Sequence, residues 1–231
     1  MFVYINCQYP YAFHEFVAKM GWTLTPRLKD ANVVLFTGGP DVDPKLYDSP
    51  RHPSTQVVLA RDLIDKEMYE YCAANDILMV GICRGGQFLN VMAGGGMIQD
   101  VRGHATGKTH EAFLVDNDGE ILPAYRYQVT STHHQMMHPT KDAVIHAASQ
   151  GVGERFAVHV AGKTEGSASS WTTTNDIMDI LGESIEPECL SYPELGIFCF
   201  QPHPEYDLDG DTFELFSTCF EDFLLCVEGV Q

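Results

Sequence analysis

Ile77-Leu78-Met79-Val80-Gly81-Ile82-Cys83-Arg84-Gly85-Gly86-Gln87 is the stretch that decides the fold. Residues 77–82 carry no charge and no alternation, the pattern of a strand buried on both faces. After Cys83 the apolar residues Phe88, Leu89, Val91 and Met92 recur at helical spacing, so the expectation is strand, sharp turn, helix. The turn reads G-x-C-x-G, the cysteine form of a nucleophile elbow. Its glycines let strand and helix approach closely beneath a residue whose backbone is unfavourable, pushing that side chain out above the sheet. Cys83 also sits at the positive end of the helix dipole, which favours thiolate over thiol.

Similar units flank this one. Residues 2–6 form a short apolar run, and Phe13, Phe16, Val17 and Met20 follow at helical spacing before Gly21. Val33-Val34-Leu35-Phe36 stops at Thr37-Gly38-Gly39-Pro40, a strand and a tight glycine loop. After an irregular stretch over 41–53, residues 55–74 carry a long helical pattern, residues 195–200 another apolar run, and 211–227 an amphipathic helix. Repeated strand and helix units with continuous apolar strands predict an α/β fold: a mostly parallel central sheet with helices on both faces, a flavodoxin-like three-layer arrangement. The mixed, shorter patterns over 113–129 and 142–160 predict antiparallel or edge strands on the same sheet. The polar run 165–175 reads as a surface loop or flexible insertion. No composition break divides the 231 residues, so 1–231 is expected to be a single domain.

Composition narrows the chemistry. Lys and Arg number 14 against 32 Asp and Glu, a formal charge of −18 that repels phosphate backbones and disfavours nucleic acid as a direct partner. No apolar run of about eighteen residues predicts a membrane span, and the N-terminus lacks the basic patch and long apolar stretch of a secretory signal. The seven cysteines are odd in number, irregularly spaced and mostly set in apolar surroundings, which fits a reduced, cytoplasmic location with six of them as small buried hydrophobes.

An amide-cleaving thiolate needs an acid for the departing nitrogen, and imidazole is the side chain best matched to that near neutrality. His203 is the candidate among ten histidines. It follows the run ending at Phe200, so it should share a sheet edge with Cys83, and Pro202 and Pro204 restrict its backbone. Glu205 can reach the far ring nitrogen and fix its tautomer, giving a triad in the order Cys, His, Glu. The amides of Arg84 and Gly39 are candidate oxyanion donors. His133, His134 and His138 raise the question of a metal, but adjacent strand histidines point to opposite faces and no Cys or carboxylate completes a set, so neither metal nor cofactor is expected.

On these residues the sequence resembles the class I (triad) glutamine amidotransferase superfamily, in particular its γ-glutamyl hydrolase and γ-glutamyl-aminobutyrate hydrolase-like branch, which is peptidase C26-like. The resemblance is carried by Phe36 to Pro44 with Tyr47, by Arg61-Asp62 with Glu67, and by Gly81 to Gln87 with Asn90. It continues through Gly94-Gly95-Gly96, Ser131-Thr132-His133-His134-Gln135 and Gln201-Pro202-His203-Pro204-Glu205. It implies a nucleophilic Cys83, a His203–Glu205 pair, an oxyanion hole from Gly39 and Arg84, and a γ-glutamyl pocket touching Gln87 and the backbone around Thr132, His133 and His134. The implied substrate is glutamine or another γ-glutamyl amide, hydrolysed through a glutamyl thioester.

A glutaminase component would hand ammonia to a separate synthetase or acceptor protein, because the chain has no G-x-x-x-x-G-K-[ST] loop. A free-standing γ-glutamyl hydrolase is the alternative, and Arg84 after the nucleophile is similar to that branch. A silent binding module of the same fold is disfavoured because all three triad positions are filled. Fold relatives with an elbow cysteine but no downstream His-Pro-Glu are disfavoured too. Three positions depart from the branch, which usually has Asn at Thr130, Gly at His134 and an aromatic residue at Pro202.

Overall fold

Val33 and Leu35 pack into one hydrophobic cluster and Val34 and Phe36 into another. The alternation repeats at Val80 and Ile82 against Met79, and at Phe198 and Phe200 against Ile197 and Cys199. Strands with two apolar faces need a helical layer on each side. The computed structural model of the chain supplies both layers; it describes residues 1–7, 10–101, 103–116, 119–150, 155–156 and 185–230. Helices α1 (His14–Lys19) and α4 (Asp211–Val230) cover one face, where Phe16, Phe216, Phe220 and Phe223 are buried. Helices α2 (Leu59–Ala74) and α3 (Arg84–Met92) cover the other with Cys72, Phe88, Leu89 and Val91.

The strands are β1 (Phe2–Asn6), β2 (Thr23–Leu24), β3 (Val33–Phe36), β4 (Leu78–Ile82), β5 (Gly96–Ile98), β6 (Asp100–Val101), β7 (Lys108–Val115) and β8 (Ile121–Ser131). They continue as β9 (Met136–His138), β10 (Val144–Gln150), β11 (Arg155–Phe156), β12 (Ile185–Tyr192) and β13 (Ile197–Phe200). Nine of them form one sheet in the order β2-β1-β3-β4-β13-β12-β10-β7-β8. From β2 to β13 every pairing is parallel; from β13 through β12, β10 and β7 to β8 every pairing is antiparallel.

The α/β expectation therefore holds, and the stretches read as antiparallel become the β7–β8 hairpin and β10. The helical spacing from Phe13 to Met20 is met by a 3-10 turn, Pro10–Phe13, followed by α1. The helix expected from residue 55 starts at Leu59, because Thr55 is held by Gln99 and the backbone of Gln56 by Asp41. The polar run 165–175 lies outside the described residues, as do 151–154 and 157–160. No helix among the described residues is long and apolar enough to cross a membrane.

Register brings the chemistry to one edge. Phe36 pairs with Gly81, and Phe200 with Ile82, so β3, β4 and β13 end together. The residues that follow them are Thr37-Gly38-Gly39, Cys83 and Gln201-Pro202-His203. The glycines of the elbow are steric necessities: a Cβ on Gly85 would stand 2.1 Å from the Phe36 carbonyl oxygen, and one on Gly81 would stand 2.4 Å from the Gly86 nitrogen. Both contacts are with backbone that cannot rotate away. Gly85→Ala is expected to lose about 3 kcal/mol of stability or more, through forced separation of β3 from α3, read as a lowered midpoint in urea.

Candidate active site

Cys83 occupies the crest of the β4–α3 turn with φ 52° and ψ −115°. A residue with a Cβ rarely adopts that conformation, and it persists because the surroundings over-determine it. The Cys83 N–H donates to the Phe200 carbonyl at 2.7 Å, and its own carbonyl accepts from the Gln87 N–H at 3.0 Å. The thiol is thereby held at the head of α3, beside the end of β13.

His203 comes off that strand end. Its Nδ1 lies 2.7 Å from Glu205 Oε1, its backbone N–H donates to the Thr130 hydroxyl at 2.7 Å, and its ring stacks on Tyr206 with centroids 4.6 Å apart. The imidazole and Cys83 meet: a Cβ placed on Gly38 would lie 3.0 Å from His203 Cε1 and 3.9 Å from Cys83 Cβ. Burial lowers the imidazole's pKa, but hydrogen bonds to Cys83 and Glu205 together with their charges outweigh it and raise His203 to about 10. The ring is thus held as imidazolium between a thiol group and a carboxylate.

The glycine loop after β3 is clamped from below. Arg61 Nη2 donates to the Thr37 carbonyl at 2.9 Å and Nη1 to the Gly38 carbonyl at 3.2 Å. Across a trans peptide the C=O and N–H point oppositely, so fixing the Gly38 carbonyl on Arg61 aims the Gly39 N–H away from Arg61. Arg61 is positioned by Asp65, which accepts from its Nε at 2.9 Å and from Asn6 Nδ2 at 2.7 Å. Arg84, almost fully buried, pairs with both Asp65 and Asp62 and donates from Nε to the Pro40 carbonyl at 3.1 Å. Two guanidinium groups and two carboxylates balance beneath the loop.

The other site residues named from the sequence are distributed more widely. Arg84 keeps its backbone amide at the elbow, while its side chain turns into the ion-pair cluster. Gln87 is buried and donates to the Gln135 carbonyl at 3.2 Å and to Gln201 Oε1 at 3.1 Å. Thr132 is exposed, whereas His134 lies 3.2 Å from Asp41, just past the glycine loop. The segment 130–135 therefore runs along the site, touching His203 through Thr130 and Gln87 through Gln135. The ring of His133 points elsewhere, into a buried cluster with His104, His110 and Glu188. The two histidines lie in the β8–β9 loop and not on a strand as expected, and the carboxylate expected to be missing is present as Glu188 of β12.

Asp65, which holds Arg61, is absent from the sequence reading, and Thr130, which accepts from the His203 N–H, enters it only as a departure from the branch. Arg61, Asp62 and Asp65 share one helical face, and that spacing was the available signal; Glu67, which the resemblance paired with Arg61 and Asp62, is exposed.

This sheet, with an elbow cysteine and a His-x-Glu segment on adjacent strand ends, is the fold of the class I glutamine amidotransferases. It is shared along the whole chain with a Thermoplasma acidophilum protein described provisionally as one of the subunits of GMP synthase; the TM-score is 0.56 and the identity 15%, and the match covers 95% of that protein. The chain belongs to the Peptidase C26 family, whose profile matches residues 22–164, a stretch that contains Cys83 and ends before His203. Among curated proteins, Protein NtpR of Enterococcus hirae is 29% identical over 131 residues, 50% of this chain and 54% of NtpR. A Mycobacterium tuberculosis protein named provisionally as a glutamine amidotransferase is 25% identical over 173 residues, 66% of this chain and 54% of that protein. The chain spans about half the length of these curated relatives.

Proposed function

We propose that the protein hydrolyses a γ-glutamyl amide, glutamine or a γ-glutamyl amine, with Cys83 as nucleophile, His203 as acid and base, and Glu205 as its orienter. The observation that carries this reading is the convergence of Cys83 with the hydrogen-bonded His203–Glu205 pair at the edge where β3, β4 and β13 end. Cys83 Sγ attacks the δ-carbonyl carbon, and the negative charge that develops on oxygen faces the amides of Gly39 and Arg84. As the tetrahedral intermediate collapses, His203 gives its proton to the departing nitrogen, leaving a glutamyl thioester. Water, deprotonated by His203, then attacks the thioester carbon, and glutamate leaves with the thiol restored. Gln87 and the backbone over 132–134 form the side of the pocket that takes the glutamyl group. All of these parts hang from one sheet, so 1–231 acts as one glutamine amidotransferase-like unit.

The nitrogen has two fates. As the glutaminase component of an amidotransferase the protein would pass ammonia to a separate synthetase, a reading supported by the likeness to a component of a synthase. As a free-standing γ-glutamyl hydrolase it would release the amine to solvent, a reading the Peptidase C26 membership supports. A panel of γ-glutamyl amides, with glutamate release measured beside intact-mass detection of the acyl-cysteine, tests both. Glutamine as the preferred substrate supports the first and a bulkier amide the second; no acyl adduct and no glutamate with any of them overturns the proposal.

Glu205 gives a second handle. Because its carboxylate helps to raise His203, the imidazolium persists until pH climbs towards about 10. Glu205→Gln is therefore expected to move the basic limb of kcat/KM to lower pH and to cut the rate about 10²- to 10⁴-fold near neutrality. An unmoved limb would remove Glu205 from the mechanism. The same linkage acts on folding: the native state binds this proton more tightly than the unfolded chain. Its stabilising contribution is full below about pH 6.5 and is lost as pH rises towards about 10.

A further inference from the structure

The antiparallel half of the sheet holds a cluster that the proposed reaction does not use. His104 precedes β7, His110 lies on it, His133 follows β8, and Glu188 lies on β12; all four are buried. Each offers one ligand atom, and the four atoms lie within 4.8 Å of one another. Each ring already has one polar partner. His104 Nε2 meets Glu186 at 2.8 Å, His110 Nε2 meets Glu188 Oε1 at 2.7 Å, and His133 Nδ1 donates to the Gln135 carbonyl at 2.9 Å. Among the described residues, His104 Nδ1, His110 Nδ1, His133 Nε2 and Glu188 Oε2 are buried without a hydrogen-bond partner.

The tautomers decide what can satisfy those atoms. A carbonyl or carboxylate only accepts, so each ring nitrogen facing one carries the hydrogen and the opposite nitrogen of a neutral ring presents a lone pair. His104 Nδ1 and His133 Nε2 then present lone pairs, while His110 and Glu188 share a single hydrogen between Nε2 and Oε1 that a metal ion can replace. A cation placed among them meets one ligand atom of each of the four residues at once.

We propose that His104, His110, His133 and Glu188 form a structural site for a divalent transition-metal ion, zinc being the best fit to three imidazoles and one carboxylate. Ligand atoms around a four-coordinate zinc at ~2.0–2.1 Å lie about 3.4 Å apart, so side-chain shifts on the order of an ångström close the set. The outer contacts to Glu186 and Gln135 are of the kind that fix the orientation of metal-bound histidines. Four protein ligands leave no open position, so the ion has a holding role. It ties the start of β7 and the end of β8 to β12, whose Glu188 carbonyl accepts from the Gln201 N–H at 2.8 Å, two residues before His203.

The test is a Co²⁺ titration of the metal-free full chain carrying Cys83→Ala, which removes a competing thiolate, followed by visible absorption and thermal melting. The expected result is saturation at about one equivalent, with the intense bands of four-coordinate Co²⁺, their loss on adding Zn²⁺, and a raised Tm for either metal. His104→Gln in the same background should abolish the bands. Glu186→Gln, which keeps every ligand, should weaken binding roughly 10- to 100-fold, and it decides the matter if the first variant does not fold. Absence of bands and of any Tm change at stoichiometric metal overturns the proposal, as does uptake identical in wild-type and Glu186→Gln backgrounds.

Discussion

Replacing Cys83 by alanine is expected to lower glutamate release by on the order of 10⁴- to 10⁶-fold while the fold survives. No other side chain named at this edge can form the thioester, so only uncatalysed water attack within the pocket remains. The substitution keeps φ near 52° and therefore keeps the local strain. Cys83→Gly relieves that strain and should be equally inactive yet more stable than the parent by ~1 kcal/mol. Glutamate assays and urea midpoints on the two variants separate the chemistry from the backbone cost. Residual activity within tenfold of wild type in either variant would mean that the sulfur is not the nucleophile.

The second large effect is expected at a residue that touches no substrate. Asp65 is completely buried and accepts from Asn6, Arg61 and Arg84. Asp65→Asn keeps its shape and removes its charge, leaving two guanidiniums facing Asp62 alone. Burial already raises the Asp62 pKa and, with Arg61 nearby, lowers that of Arg84 to about 10, so the cluster cannot relax by reaching water. A loss of about 3–5 kcal/mol is expected in equilibrium unfolding at neutral pH. Arg61 is also freed from its anchor, so the Thr37 and Gly38 carbonyls lose their clamp and the Gly39 amide its aim. The kcat of the folded fraction should fall while KM changes little, because an oxyanion donor acts chiefly in the transition state. A variant as stable as wild type would show that the ion pairs merely occupy the space.

The legible parts of the fold were those whose burial is written in apolar residues. β3, β4 and β13 are continuous hydrophobic runs, and α4 shows its phenylalanines at helical spacing. By contrast β12, reading Ile-Glu-Pro-Glu-Cys-Leu-Ser-Tyr, carries two carboxylates and a proline and went unrecognised as a strand. Glu186 and Glu188 are buried only because His104 and His110, about eighty residues away, stand opposite them. A pattern of hydrophobicity cannot register a polar group whose partner is distant in the chain. Asp65 was passed over for the same reason, looking like surface on a helix that is otherwise partly exposed.

Sequence alone therefore determined the layered α/β sheet, the elbow at Cys83 and the candidacy of His203 with Glu205, because each is encoded by neighbouring residues: an apolar run, spaced glycines, a His-Pro-Glu segment. Tertiary structure alone decided that β4 and β13 lie side by side, that Arg61 and Asp65 set the glycine loop, and that His133 joins His104, His110 and Glu188. Those arrangements depend on charge and hydrogen-bond complementarity between segments far apart in the chain. That complementarity comes into being only when the strands have chosen their neighbours.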